Sequence, residues 1–140
     1  MASGIYSAFK GDLMEKQVNL SGTLGDTIKV GLLSSAHTFT ASNTVWGNVS
    51  ANEIINQSGS GYTADGATLA NQSVTTGTTT KFDGDDTAWT TSTFTAAHAV
   101  IYDLSNTSSL IASIDFGGDK TVSAGTFTIQ WSGDGILTLV

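Results

Sequence analysis

Apolar residues alternate with polar ones in steps of two along much of this chain, and that period commits it to extended backbone. Leu110, Ala112, Ile114 and Phe116 fall on one side of such a ladder, as do Phe127, Ile129 and Trp131, and Ile28, Val30 and Leu32. Successive side chains of a strand point to opposite faces, so this spacing builds a sheet with one apolar face. Composition points the same way. Ser and Thr make up 39 of the 140 residues, and the branched Cβ of threonine suits a pleated, half-buried surface. Short strands separated by Gly, Ser, Asn and Asp turn signals predict an all-β fold, an antiparallel β-sandwich or jelly-roll-like barrel. At 140 residues the chain is expected to form a single domain, 1–140, large enough to bury roughly two-thirds of its unfolded surface.

Residues 1–20 differ from the rest and read as an N-terminal helix or arm. Ile5, Phe9 and Leu13 recur every fourth residue, Ser3 stands where an N-cap would, and Lys16 lies where a cation suits a helix C-terminus. A short α-helix over Ser3–Lys16 is predicted. Being marginal alone in water, it must dock its apolar stripe on its own sheet or on a neighbouring subunit. Two hairpins are expected further along. Gly117-Gly118-Asp119 is read as a reversal after Phe116, and Ser132-Gly133-Asp134-Gly135 as one that returns Ile136–Val140 beside the strand of Trp131. Residues 36–86 read as long loops and short strands, with a flexible tip at Gln57-Ser58-Gly59-Ser60-Gly61.

Five lysines, no arginine and twelve carboxylates give a formal charge of −7. Phosphate binding needs clustered cations, so no direct nucleic-acid partner is expected. No apolar run approaches the ~20 residues of a membrane span, and no membrane association is expected. Asp83-Gly84-Asp85-Asp86 is the densest acidic cluster, but Ala88 and Phe94 stand where an EF-hand loop needs Gly and Glu. It reads as an acidic turn, with no metal and no cofactor implied. His37 and His98 are the two imidazoles, and no Gly-x-Ser-x-Gly elbow accompanies them. No catalytic residues are assigned, and His98 reads as a partly exposed strand residue. Of the three tryptophans, Trp131 is placed inside with Phe127 and Ile129. Trp46 and Trp89, set beside Thr, Gly and Asp, are the surface candidates. With Ile5, Phe9 and Leu13 they form the candidate interface.

Several stretches, taken in order, carry a resemblance: Phe9-Lys10 with Leu13 and Lys16, Asp26-Thr27-Ile28-Lys29-Val30, Gly61-Tyr62-Thr63-Ala64, Val100-Ile101-Tyr102, Ile114-Asp115-Phe116, and Ile129-Gln130-Trp131 with Gly135-Ile136-Leu137-Thr138. The chain resembles small virion proteins of tailed bacteriophages, most of all head decoration or cement proteins. That resemblance implies a non-enzymatic protein on the outer capsid surface, a homo-oligomer (dimer or trimer) that binds the major capsid protein and bridges its subunits. A tail, neck or receptor-binding fibre component is the alternative it leaves open.

Overall fold

The computed structural model describes residues 3–55 and 60–140, so positions 57–59 of the expected loop tip lie outside the described residues. The chain folds as all-β with one short helix. In order come β1 (Gly4–Ile5), α1 (Ser7–Met14), β2 (Ile28–Leu33), two 3-10 turns (Trp46–Asn48 and Ser50–Asn52), β3 (Ala67–Thr68), β4 (Ser73–Thr75), β5 (Thr80–Asp83), β6 (Thr87–Asp103), β7 (Ser109–Ile129) and β8 (Leu137–Leu139). Every pairing is antiparallel. The large sheet has strand order β1-β7-β6-β2-β3 and the small one β4-β5-β8. Phe82 of β5 and, partly buried, Leu137 of β8 join the same core as Ile28, Val30, Leu32, Phe94 and Ile101. The two sheets share that core as an open sandwich and do not close into a barrel.

β6 and β7 dominate the architecture, and their reversal is not where glycine predicts it. The chain turns at Leu104–Ser108, where the buried Asp103 accepts the N–H groups of Ser105 (2.9 Å) and Asn106 (3.2 Å) and so shapes the turn. Thr107 and Ser108 adopt φ of 48° and 59° there. Gly117-Gly118 instead form an excursion inside β7. His98 pairs with Asp115 and Ala96 with Lys120, so four residues of β7 bulge opposite Ala97. Positive φ at Gly117 (76°) and Gly118 (132°) is what this detour needs. A second correction concerns the C-terminus. Leu137–Leu139 pair with Thr80–Phe82 of β5 in the small sheet and not with β7. Trp131 lies past the end of β7, half-exposed, its ring N–H donating to Asp85 O (3.0 Å).

The helix is shorter than its apolar spacing predicts. Gly4 and Ile5 pair with Ser113 and Ala112 at the edge of β7, and Ser3 Oγ accepts the N–H of Asp115 (2.9 Å) instead of capping. Extended backbone wins over residues 3–5 because β7 offers its unpaired edge. A φ of 59° at Lys16 marks where the helical path has ended.

A second core lies on the other face of the large sheet, formed by Tyr6, Leu33, Trp46, Val49, Val100, Tyr102 and Leu110. The loops between β2 and β3 supply this layer. Trp46 stacks on Tyr102 with ring centroids 4.6 Å apart, above Gly31, where any Cβ would meet the indole at 2.2 Å. No helix among the described residues is long and apolar enough to cross a membrane.

Candidate interaction site

α1 presents its stripe in two directions. Phe9 is buried (4% exposed) against the core of its own domain, so the helix docks mainly at home. Ile5 stays half-buried and Leu13 is 36% exposed. Together with Val18 and Leu20 these residues form one wall of an open groove of about 330 Å³. Phe82, Leu137, Leu139 and Val74, from the small sheet, form the other. Leu139 is 56% exposed at this rim.

The edge of the small sheet adds a second property. β8 pairs with β5 on one side only, and its sequence Leu137-Thr138-Leu139 carries no charge, proline or glycine. Natural edge strands usually carry such devices against pairing with another chain. Lys81, the cation on this wall, is engaged with Gly133 O (2.9 Å) and Asp83 (4.0 Å). The groove therefore combines apolar side-chain pockets with the short, uncharged edge of β8, which suits an extended apolar segment.

Trp46 and Trp89 do not belong to this surface. Both are 6% exposed, which corrects the expectation that they anchor an interface. Trp46 is drawn inward by Tyr102 and by its ring N–H donating to Asp65 Oδ1 (3.1 Å). Trp89 packs between Tyr62 and Phe127, each centroid 6.1 Å away. Trp89 turns inward because a strand buries alternate positions whatever their neighbours are, and Trp46, in a 3-10 turn, turns inward because it stacks on Tyr102.

The histidines form a buried cluster that no sequence spacing signals. His37 is 1% and His98 2% exposed, so His98 is not the partly exposed residue expected. Their rings meet edge-on at 5.0 Å. His37 Nε2 lies 3.2 Å from Ser113 Oγ, and His98 Nδ1 lies 3.9 Å from Asp115 Oδ1. Burial pushes the His37 imidazole down to about 4, helped by the proximity of His98. Burial lowers His98 too, with Asp115 opposing. Ser113 is 1% exposed, so its hydroxyl is closed to a substrate in this arrangement. The cluster pins the loop after β2 to β7.

The acidic turn is spent on structure. Asp83 Oδ1 accepts Gly84 N–H (2.9 Å), Asp85 Oδ2 accepts the Asn71 amide (2.6 Å), and Asp86 Oδ1 accepts Trp131 N–H (2.9 Å). The three carboxylates are thus turned to three different donors. Among the described residues no group of three or more His, Asp or Glu side chains is placed to hold a metal.

Compared with known protein families, with curated proteins and with solved structures, the chain matches none. Fold and groove define its class: an all-β domain of two antiparallel sheets with one short helix and an open apolar groove beside an edge strand.

Proposed function

We propose that this protein is a structural component of a tailed-bacteriophage virion, a capsid decoration protein that binds the outer head surface and bridges major capsid protein subunits. The observation that carries the reading is the groove bounded by Leu13, Val74 and Leu139, set against the uncharged edge of β8. An extended segment of the shell protein adds to that edge through backbone hydrogen bonds and lays alternate apolar side chains into the groove. Each such contact is modest. A homo-oligomer that engages several shell subunits at once multiplies them through effective concentration, which is how a small protein holds seams of a loaded shell together. The resemblance of the ordered sequence stretches to head decoration proteins supports the same reading.

The test uses purified particles stripped of this protein. Leu139→Asp and Leu13→Asp place a charge at the rim of the groove, on side chains already exposed to solvent. Shell binding is expected to weaken at least ~10-fold, the cost of burying an unpaired charge, while the unfolding midpoint stays near that of the parent. Phe9→Asp is the wrong probe, because Phe9 is core. If both rim variants bind as the parent does, the groove is not the interface. If labelled protein decorates tails or necks and leaves heads bare, the tail, neck or fibre reading replaces this one.

A further inference from the structure

Asp103 closes β6 and is 1% exposed. Its Oδ1 serves the turn to β7, as described, but its Oδ2 is buried with no donor among the described residues. The acid that bears on it is Asp26, two residues before Ile28, the strand partner of Asp103. Strand register brings the two acids together. Ile28 pairs with Asp103, Leu104 N–H donates to Thr27 O (2.9 Å), and Thr27 N–H donates to Ser105 Oγ (2.8 Å). Two ionised carboxylates only accept hydrogen bonds, so such a contact needs a proton or a cation between them.

Asp26 belongs to the loop 19–26, which is a thin partition. Asn19, Leu20 and Ser21 line the apolar groove, whereas Gly22, Thr23, Gly25 and Asp26 line a polar cavity of about 470 Å³. The loop's other ties are neutral or local. Asn19 N–H donates to Asp26 Oδ2 (2.6 Å), and the Gln72 amide donates to Ser21 O (3.0 Å) and Asp26 O (2.9 Å). The charged group that bears on Asp103 is Asp26; its remaining partners are the N–H groups of Ser105 and Asn106.

We propose that the buried Asp103 carboxyl keeps a proton against the Asp26 carboxylate and that this contact acts as a pH-set latch. Protonated, the pair fastens the 19–26 loop to the turn between β6 and β7. When the proton leaves to solvent, two like charges face each other and the loop is released. Burial, then the bond to Asp26, pushes the Asp103 carboxyl up to about 6. The native state therefore keeps a proton that the unfolded chain gives up near pH 4. Its stabilisation is complete at low pH and is lost as pH rises through about 6. The latch is closed in mild acid and open above neutrality, and it stands whether or not the groove binds a shell.

Amide exchange of Ser21 and Asp26, corrected for intrinsic rates, reads the loop directly. Between pH 5 and pH 8 the parent protein is expected to lose roughly tenfold or more in protection at these amides, the scale of the shifted equilibrium. In Asp103→Asn and Asp26→Asn a fixed amide N–H stands where the proton was, and protection is expected to stay level. The buried histidines titrate with opposite sign, and comparison of parent with variant subtracts them. Flat protection in the parent, or variants that follow the parent's pH dependence, overturns the latch. So does a ¹³C carboxyl titration of Asp103 in the parent protein near 4, which needs no variant to fold. If Ca²⁺ at pH 8 restores protection in the parent but not in Asp103→Asn, the pair is a cation site and the proton latch is wrong.

Discussion

The two halves of the β6–β7 hairpin obey different rules. From Thr87 to Phe94 β6 mostly alternates, burying Thr87, Trp89, Ser92 and Phe94 and exposing residues between them. From Ala96 to Asp103 every residue is buried. Ala99 and Ile101 enter the main core, while Val100 and Tyr102 enter the second one. The difference lies outside the hairpin. Loops 34–55 cover the second face of one half only, and a strand covered on both faces loses its period of two. His98 alternates with Val100 and Tyr102 and so lies under that cover with His37, whereas Asp103, across from Ile28, lies on the main-core face of the same half.

Core substitutions should separate the halves most. Ile101→Ala, in the doubly covered half, is expected to cost about 2–5 kcal/mol in denaturant unfolding, against about 0.5 or less for exposed Thr90→Ala in the other. Equal losses would break the comparison.

Acid should act next, and on the covered half. His37, with its pKa held down to about 4 against 6.5 unfolded, contributes stability that is full above pH 6.5 and lost as pH falls towards 4. The loss is roughly 3 kcal/mol at its limit. His37→Gln should flatten that limb of a melting-temperature profile, and an unchanged acid limb would place the sensitivity elsewhere. The Asp26–Asp103 pair contributes with the opposite sign over an overlapping range, so Asp103→Asn should steepen the same limb.

Gly31→Ala sharpens the role of the covering loops. The new Cβ meets Trp46 at 2.2 Å, and overpacking of this kind costs about 1–3 kcal/mol. Displacement of the indole from Tyr102 should appear as a shifted tryptophan emission. Without it, Trp46 is not what seats the loop.

The smallest effect belongs to the bulge. Gly117 has φ of 76° and open space around its Cβ position, so Gly117→Ala is expected to cost about 1 kcal/mol through backbone strain alone. A loss several times larger would mean that the excursion packs against something.

Legibility in the sequence follows the same division. The alternating stretch Phe127–Ile129 reads directly as a strand, because one solvated face preserves the period; Ile28–Leu32 reads as one through its apolar alternation, although its second face is buried as well. Gly117-Gly118 reads as a reversal and forms a bulge instead, since the pair signals positive φ, which bulge and hairpin both use. Of the candidate interface residues, Ile5, Phe9 and Leu13 line the groove, Phe9 from the core at its floor, and Trp46 and Trp89 are interior. Helical spacing cannot say which turn of a stripe meets the chain's own core. Nothing in the sequence marks His37 and Ser113, or Asp26 and Asp103, as neighbours, since each pair is 76 or 77 positions apart.

By itself, then, the sequence determined the all-β class, the single short helix and the scarcity of cations, because backbone preference and charge are local properties of residue types. The tertiary structure decided where the chain reverses, which sheet receives β8, which aromatics are buried and which acids meet. These outcomes depend on register between distant segments. A strand edge takes whichever partner completes its hydrogen bonds and covers its apolar face, and that competition is settled only in the assembled fold.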